Sequence, residues 1–277
     1  MNPLVSETQP REAFVTQHCE AFFAAVQFLT RIPITLRLVP DQPERYQAAL
    51  ARGVIYFPLV GGLVTGLTSL VIVVFLHLMP TELAIVVALA IEAMLTGAFH
   101  EDALADTCDA LGGGWTRDQV LEILKDSRLG TYGTLGLGLG VACRFFALVA
   151  IADIQWVWYG VASLLASGAL GRWGIVWLMH TVRPVEDRKT MARDVAGSHT
   201  GRKLVLGLLL GSPAIIPWLM LDAQAVLAAL ALSAVVLFVY RWQLMRRVGG
   251  STGDLLGCGA YLVQIAVLIV AASRITV

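Results

Sequence analysis

Residues 53–79 read "GVIYFPLVGGLVTGLTSLVIVVFLHLM" and contain no Asp, Glu, Lys or Arg. A helix of roughly twenty apolar residues, rising about 1.5 Å per residue, crosses the hydrocarbon core of a bilayer, which is about 30 Å thick. This stretch is therefore predicted to be a transmembrane helix. Comparable apolar runs recur along the 277 residues, and the chain is 57% hydrophobic and only 14% charged. The sequence predicts an all-α, polytopic membrane protein.

Seven apolar runs can be drawn as transmembrane helices. Glycines repeat in residues 133–140, "GTLGLGLG", which suits close packing between two such helices. Residues 11–32 have an apolar face interrupted by polar side chains and are followed by Pro33, so we expect an amphipathic helix at the membrane surface. We expect a single membrane-embedded domain over residues 1–277, with 1–52 as its cytoplasmic or interfacial segment. The predicted spans are residues 53–79, 82–100, 134–152, 155–180, 204–221, 223–240 and 255–273.

Lysine and arginine occur in alternate connections between these spans, namely residues 1–52, 101–133, 181–203 and 241–254. The three short connections between them contain neither residue. Because basic connections stay on the cytoplasmic side of a membrane, the N-terminus and the large loops are predicted to be cytoplasmic. The C-terminus is then predicted to lie on the other side, where Arg274 does not fit the rule.

The net charge and the cysteines do not indicate nucleic acid binding, a disulfide framework or a zinc site. The formal net charge is zero, so the composition does not point to nucleic acid binding. The four cysteines are widely separated and form no CxxC pair, so neither a disulfide framework nor a zinc site is predicted. We expect Cys19, Cys108, Cys143 and Cys258 to be free thiols.

Acidic residues follow the second apolar run, in residues 97–114, "GAFHEDALADTCDALGGG". Asp102, Asp106 and Asp109 are spaced i, i+4, i+7, which places them within about 60° of one another on one face of a helix. Three like charges this close repel one another unless some are protonated or a cation lies between them. Ligands that are all oxygen favour Mg²⁺, Mn²⁺ or Ca²⁺ over zinc. The trio is therefore a candidate metal site.

The neighbours of the trio are given structural roles. His100 points to the opposite side of such a helix and is not counted as a ligand. Glu101, nearly perpendicular to the trio, is either a further ligand or solvated, and we expect it to be solvated. The glycines of "LGGG" (111–114) let the chain bend sharply after the helix. The alternative for the whole stretch is a solvated acidic helix end at the membrane surface.

Two glycine-rich loops are candidate phosphate sites. In "KDSRLGTYG" (125–133), Lys125 and Arg128 are donors suited to phosphate oxygens, Asp126 could bind metal or accept a proton, and Gly130 suits a tight loop. In "GGSTGDLLG" (249–257), glycines and hydroxyls at a helix N-terminus form an anion site. The alternatives are a basic loop that fixes topology and simple helix capping by Asp254. The residues proposed from the second loop are Gly249, Gly250, Thr252, Gly253 and Asp254.

A third loop, "RDVAGSHTGRK" (193–203), adds basic residues and His199, which is expected to be solvated or to contact phosphate. All these acids and basic loops are predicted on the cytoplasmic side. A metal together with phosphate-contacting loops is typical of phosphoryl or phosphodiester transfer. No GxSxG, HExxH or Cys–His pattern indicates a different chemistry.

The order of five motifs resembles the cobalamin synthase family, the integral membrane adenosylcobinamide-GDP ribazoletransferases of bacteria and archaea. The motifs are "FLTRIP" (28–33), "YFPLVG" (56–61) and the stretches 97–114, 125–133 and 249–257 already quoted. The resemblance implies a Mg²⁺-dependent transferase of the bacterial cytoplasmic membrane, with its active site facing the cytoplasm. Adenosylcobinamide-GDP and α-ribazole, or α-ribazole 5′-phosphate, would give adenosylcobalamin, or its phosphate, and GMP. The resemblance leaves open whether the protein forms a homo-oligomer and whether it contacts other corrinoid-assembly enzymes.

The resemblance also implies roles for individual residues. Asp102, Asp106 and Asp109 would be the metal ligands, and Asp109 or Asp126 would accept the proton of the attacking hydroxyl. Substrate phosphates would be held by Arg31, Lys125, Arg128, Gly130 and the loop 249–254.

The chain departs from the family pattern at a few positions. Ala103 and Ala110 replace glycines of the central motif, and Tyr261 and Gln264 stand in the last span where acidic or amide residues are usual.

Two other functions are alternatives to this one. A lipid phosphotransferase that uses a CDP-alcohol would show D-x2-D-G-x2-A-R, which is absent. A cation-coupled transporter would keep its acids near the middle of the membrane.

Overall fold

A computed structural model of the protein describes residues 8–34, 42–152, 157–185 and 201–275. Within these ranges the regular elements are helices, apart from one isolated parallel bridge between Pro184 and Ser251. The all-α prediction is confirmed. A 3₁₀ turn at Val54–Tyr56 joins the second helix to the third. The helices are α1 (Thr8–Leu29), α2 (Pro43–Gly53), α3 (Phe57–Phe75), α4 (Thr81–Thr96), α5 (Phe99–Gly113), α6 (Arg117–Ile123), α7 (Thr131–Ile151), α8 (Val157–Thr181), α9 (Gly201–Leu221), α10 (Ala223–Arg247) and α11 (Gly253–Ser273).

The protein is a multi-pass membrane protein by the length and composition of its helices. Six helical stretches of the described chain are long and apolar enough to cross a membrane, with α2, the 3₁₀ turn and α3 counted as one. The pair α4 and α5 counts as a seventh if it is a single span. The predicted helix over 11–32 is present as α1, which ends at Leu29 rather than at Pro33. Helix α10 runs past the predicted limit of 240 to Arg247, because its basic last turn suits a helix C-terminus beyond the apolar core.

The predicted span 82–100 is wrong as a single straight helix. Helix α4 ends at Thr96, and α5 starts at Phe99 in a direction that differs by 87°. Gly97 and Ala98 between them both have left-handed backbone angles, with φ of 70° and 55°. The apolar pattern continues through these two residues, and hydropathy carries no information about direction. As a result, the acids do not continue the axis of the preceding span.

Helices α8 and α11 form the centre of the bundle. Both are largely buried, and α3, α9 and α11 pack around α8. Helices α5 and α7 pack against α11 in turn. The predicted use of the repeated glycines in α7 is confirmed, because a Cβ at Gly133, Gly136 or Gly140 would collide with side chains of α5. The acidic helix is therefore held closely between α7 and α11.

The end of the bundle away from the acids explains the exceptional arginine. Arg274 donates from Nε to Asp222 Oδ2 at 3.0 Å and from Nη2 to Gln224 Oε1 at 3.3 Å. Asp222 also caps α10, because its Oδ1 accepts the Ala225 amide at 2.9 Å. Arg274 is thus part of a local ion pair between the two helix ends.

Candidate active site

Helix α5 presents its aspartates along one side, as the spacing predicted. Asp102 is exposed, while Asp106 and Asp109 are half-buried. The other side of the helix packs into the bundle, with His100 buried there. Ala103 lies against α11, since a Cβ at Gly257 would meet the Ala103 Cβ at 2.8 Å. Close packing therefore brings the acidic helix next to the N-terminus of α11.

A fourth carboxylate joins the acids from α11. Burial, and then the charges of Asp102, Asp254 and Asp109, raise the pKa of Asp106 to about 6. Asp254 is the second residue of α11, so it reaches the acidic face across the contact between the two helices. Sequence reasoning had placed Asp254 with the phosphate loop. The long separation in sequence hid its proximity to Asp106.

Asp109 connects α5 to the start of α7. Its two oxygens accept backbone N–H groups of Gly130 and Gly133, each at 2.7 Å. A Cβ on either glycine would collide with this carboxylate. Gly130 therefore has a structural reason to be glycine in addition to its predicted substrate role, and Asp109 satisfies amides at the N-terminus of a helix.

Asp126 and Arg128 pair with each other in the loop before α7. Arg128 donates from Nε to both oxygens of Asp126, at 2.9 and 3.0 Å, and from its backbone amide at 3.1 Å. These hydrogen bonds lower the pKa of Asp126 to about 2. A carboxylate with so low a pKa is a weak proton acceptor near neutral pH. The guanidinium of Arg128 and the side chain of Lys125 are exposed, and both lie in the loop that precedes the Asp109 contact.

The loop 249–254 is held by hydrogen bonds to the segment that follows α8 and by the first turn of α11. The Ser251 amide donates to Arg183 O at 2.9 Å, at the end of α8. The expected capping role belongs to Thr252 rather than Asp254, because Thr252 Oγ1 accepts the Leu255 amide at 3.4 Å. Ser251, Thr252 and Gly250 are buried.

The parts of the predicted phosphate loop that remain accessible are fewer than the sequence suggested. Gly249 is exposed and has a left-handed φ of 72°, which suits glycine. Gly253 and Asp254 are half-buried. Because the Thr252 hydroxyl is buried and acts as a helix cap, a ligand would meet this loop through its backbone and Asp254.

Three arginines surround the ends of the acidic helix. The backbone amide of Arg31 donates to Leu95 O at 2.7 Å, and its side chain lies against Gly97 at the bend. Arg247 donates to the carbonyl groups of Leu111 and Gly114, which end α5. Arg117 donates from Nε to Val248 O at 3.0 Å. The basic end of α10 is therefore attached to the acidic helix.

The donor set fits Mg²⁺ shared with a substrate better than a site made by the protein alone. Within the described ranges, no three His, Cys, Asp or Glu side chains are placed to hold one metal ion among them. Mg²⁺ keeps several waters and takes one or two carboxylates together with substrate phosphates. Asp102, Asp106 and Asp254 offer only oxygen atoms, and a divalent cation would relieve the repulsion that raises the pKa of Asp106.

Glu101 is not solvated, contrary to the sequence-based expectation. Its Oε1 accepts Arg144 Nη1 at 3.4 Å, and Arg144 Nη2 also binds both oxygens of Glu92 at 2.6 Å. Sequence reasoning missed this buried cluster, which also includes Arg172. The signal was present, because a charged residue inside an apolar span needs a partner or a function.

A cavity of about 500 Å³ opens between α4 and α7. Its walls are mainly apolar, and Glu101 and Arg144 contribute its charged part. None of the predicted site residues lines it. The four cysteines are free, as predicted. Of the loop 193–203, residues 193–200 with His199 lie outside the described residues.

Comparison with known proteins identifies the family. A family model described as cobalamin-5-phosphate synthase matches residues 21–272. The chain belongs to the cobalamin-5-phosphate synthase family. Relatives named adenosylcobinamide-GDP ribazoletransferase include one from Leptothrix cholodnii, 36% identical over 92% of this chain and 95% of its own length. Others are from Rhizobium etli, 36% identical over 88% and 93%, and from Vibrio cholerae, 32% identical over 93% and 95%. No solved structure matches the chain.

The departures from the cobalamin-5-phosphate synthase pattern have structural explanations. Ala103 and Ala110 are buried on the packed side of α5, so both replacements leave the aspartates in register. Gln264 accepts a hydrogen bond from Arg172 Nη1 at 2.9 Å. The guanidinium of Arg144 lies over the ring of Tyr261, 5.9 Å from its centroid. Tyr261 and Gln264 of the last span thus both contact buried arginines.

Proposed function

We propose that this cobalamin synthase family member transfers the cobinamide-phosphate moiety of adenosylcobinamide-GDP to α-ribazole or α-ribazole 5′-phosphate. The products are adenosylcobalamin or its 5′-phosphate, and GMP. The observation that carries the proposal is the gathering of Asp102, Asp106, Asp109 and Asp254 at the contact of α5 with α11, in a chain of this family. The relatives are named for this reaction.

The reaction exchanges one bond to phosphorus for another. The ribazole hydroxyl oxygen bonds to the phosphorus on the cobinamide side, the phosphoanhydride P–O bond breaks, and GMP leaves with its electron pair. Asp106, together with Asp102 or Asp254, would hold Mg²⁺ jointly with substrate phosphate oxygens, and Asp109 is the further ligand that the sequence predicts. When bound, Mg²⁺ supplies positive charge that offsets the charge of the phosphate oxygens.

The remaining residues would bind phosphate and accept a proton. Lys125, Arg128 and Arg31 are exposed donors, and Arg128 can exchange Asp126 for a phosphate. That exchange would release Asp126 from the ion pair that lowers its pKa and make it a better proton acceptor. Asp109 is the other candidate for this role, because it lies close enough to Asp106 to raise its pKa.

We also propose that the site faces the cytoplasm of a bacterial cell. Arg247, Arg117 and Arg183 all contact the loops around the acids, and Arg241 donates to Thr181 O at the end of α8. Basic residues mark the cytoplasmic ends of membrane helices. A homo-oligomer and contacts with other corrinoid-assembly enzymes stay proposals from pathway logic. Trp115, next to the acidic helix, is 87% exposed and available for such contacts.

The test uses purified protein in liposomes with adenosylcobinamide-GDP, α-ribazole and either Mg²⁺ or EDTA. GMP release and cobalamin formation are followed together. We expect equal production of both with Mg²⁺ and neither with EDTA. Activity that survives EDTA would contradict the metal assignment. Absence of both products, while a family relative works under the same conditions, would contradict the transferase assignment and favour the transporter alternative.

A further inference from the structure

The bend between α4 and α5 needs support from outside the two helices. Gly97 and Ala98 both adopt left-handed backbone angles, and alanine is strained there. The connection is only two residues long, so α5 could pivot on it. The direction of the acidic helix must therefore be set by contacts with the rest of the bundle.

Arg144 of α7 makes contacts on both sides of this bend. Its guanidinium binds Glu92, which precedes the bend in α4, through Nη2 at 2.6 Å to both carboxylate oxygens. The same guanidinium binds Glu101, which follows the bend in α5, through Nη1 at 3.4 Å. The side chains of Arg144 and Glu92 are each 3% exposed. One buried cation thus joins the two halves of the bent pair.

Other helices fix this cluster in place. Thr68 of α3 donates its hydroxyl to Glu92 at 2.7 Å. Arg172 of α8 lies close enough to Glu92 and Glu101 to interact electrostatically with both, and it donates to Gln264 of α11. The two glutamates and two arginines balance in charge. The Nε atoms of Arg144 and Arg172 have no hydrogen-bond partner within the described residues. The charged groups still restrain one another, because moving one member would leave another charge unpaired.

The contact with Glu101 sets the rotation of α5 at its start. Asp102 is the next residue, so its direction follows from that of Glu101 at about 100° per residue. The other end of α5 is tied by Asp109 to Gly130 and Gly133. With both ends fixed, the acidic face is turned to Asp254. Without the contact at the start, the first turn of α5 could rotate within the limits set by its packing against α7 and α11, which would change the distances among the carboxylates.

We propose that Arg144 is a positioning residue that holds the acidic helix in the orientation needed for metal binding, acting through Glu101. The inference rests on the proposed metal site of α5. Arg144 would act from behind the helix, without touching the metal or the substrate.

Two variants separate this role from general stability. Glu101→Gln removes the charge on α5 and leaves the Arg144–Glu92 pair, and Arg144→Lys keeps a cation for Glu92 but lacks the second nitrogen for Glu101. Glu122→Gln on the exposed surface of α6 is the matched control. Each protein in nanodiscs is titrated with Mn²⁺ in the presence of adenosylcobinamide-GDP by electron paramagnetic resonance, and the Mg²⁺ dependence of turnover is measured beside it.

We expect both variants to weaken Mn²⁺ binding about tenfold, as is typical when an outer partner of a metal site is lost. The Mg²⁺ concentration for half-maximal activity should rise in parallel, while Glu122→Gln behaves as wild type. The double variant Glu101→Gln/Arg144→Lys should bind Mn²⁺ within about twofold of the single variants, because both weaken the same contact, one by removing the charge of Glu101 and the other by removing the second nitrogen of Arg144. A general loss of folded protein would lower activity without moving the metal midpoint.

Wild-type Mn²⁺ affinity in Glu101→Gln would overturn the positioning role and leave the metal site intact. Losses that multiply in the double variant would also overturn it, because they would show that the two residues act independently. If the wild-type protein binds no Mn²⁺, the metal site itself fails and the positioning role fails with it.

Discussion

Glu101 and Asp102 are consecutive residues of α5 and belong to two groups of charges with opposite properties. Glu101 joins Glu92, Arg144 and Arg172 in a buried cluster with as many positive as negative charges. Asp102 joins Asp106, Asp109 and Asp254, whose repulsion contributes to the raised pKa of Asp106.

The difference in charge balance distinguishes residues that stabilise the fold from residues that can bind a ligand. A buried cluster with balanced charge needs no cation to offset it, so its role is structural. An acidic cluster that raises the pKa of its own member gains stability from a cation, so its role is binding. The two clusters together contain six acids and two arginines, and only the partners of each residue distinguish the two roles.

The largest expected effect is that of Asp106→Ala, which removes the centre of the acidic cluster. Turnover should fall on the order of a thousandfold, since charge neutralisation by a metal contributes several kcal/mol and each 1.36 kcal/mol is about tenfold in rate. The fold should be retained, as shown by an unchanged elution profile in detergent. Asp118→Ala, at an exposed carboxylate on α6, is the control. Full activity of Asp106→Ala would remove this residue from the site.

Arg144→Ala should lower stability in addition to weakening metal binding. Removing one partner of a buried ion pair costs about 3 kcal/mol or more, because Glu92 is left buried and unpaired. We expect a lower unfolding midpoint by thermal or denaturant unfolding in detergent. Adding Glu92→Gln to this variant should recover part of the loss. If the double variant is less stable than Arg144→Ala, the balance of charge is not what holds the cluster.

Gly133→Ala tests the link from Asp109 to α7. The added methyl group would collide with the Asp109 carboxylate, so turnover should fall about tenfold through displacement of the acidic helix. Gly138→Ala, in the same helix but with no neighbour within 4 Å of the added Cβ, should be close to wild type. Equal activities of the two variants would show that the Asp109 contact is not needed.

The smallest expected effect concerns pH. Because the pKa of Asp106 is raised to about 6, this carboxyl is protonated below that value and Mn²⁺ affinity should fall as pH decreases through it. At pH 6 the affinity should be about twofold below its value at high pH, because half of the sites are protonated. In Asp254→Asn the midpoint should move to lower pH, since one like charge is gone. Electron paramagnetic resonance titrations between pH 5 and pH 8 measure both midpoints, and an unmoved midpoint would place Asp254 away from Asp106.

Much of the fold followed from local pattern. The apolar runs predicted most spans to within a few residues, and the i, i+4, i+7 spacing placed three aspartates on one side of α5. The 87° bend was not predicted, because Gly97 and Ala98 change the direction of the helix axis without interrupting the apolar run. Capping of α11 by Asp254 is the alternative that the sequence offers, whereas the structure has Thr252 as the cap, since both residue types cap helices and only geometry separates them.

The sequence by itself determined that the chain crosses a membrane several times and that it carries a face of carboxylates next to glycine-rich basic loops. It did so because hydropathy and helical periodicity are local properties. Only the tertiary structure decided which carboxylates meet. Packing of α11 against α5 places Asp254 near Asp106, although about 150 residues of sequence separate them. Packing of α7 against α5 likewise places Arg144 next to Glu101.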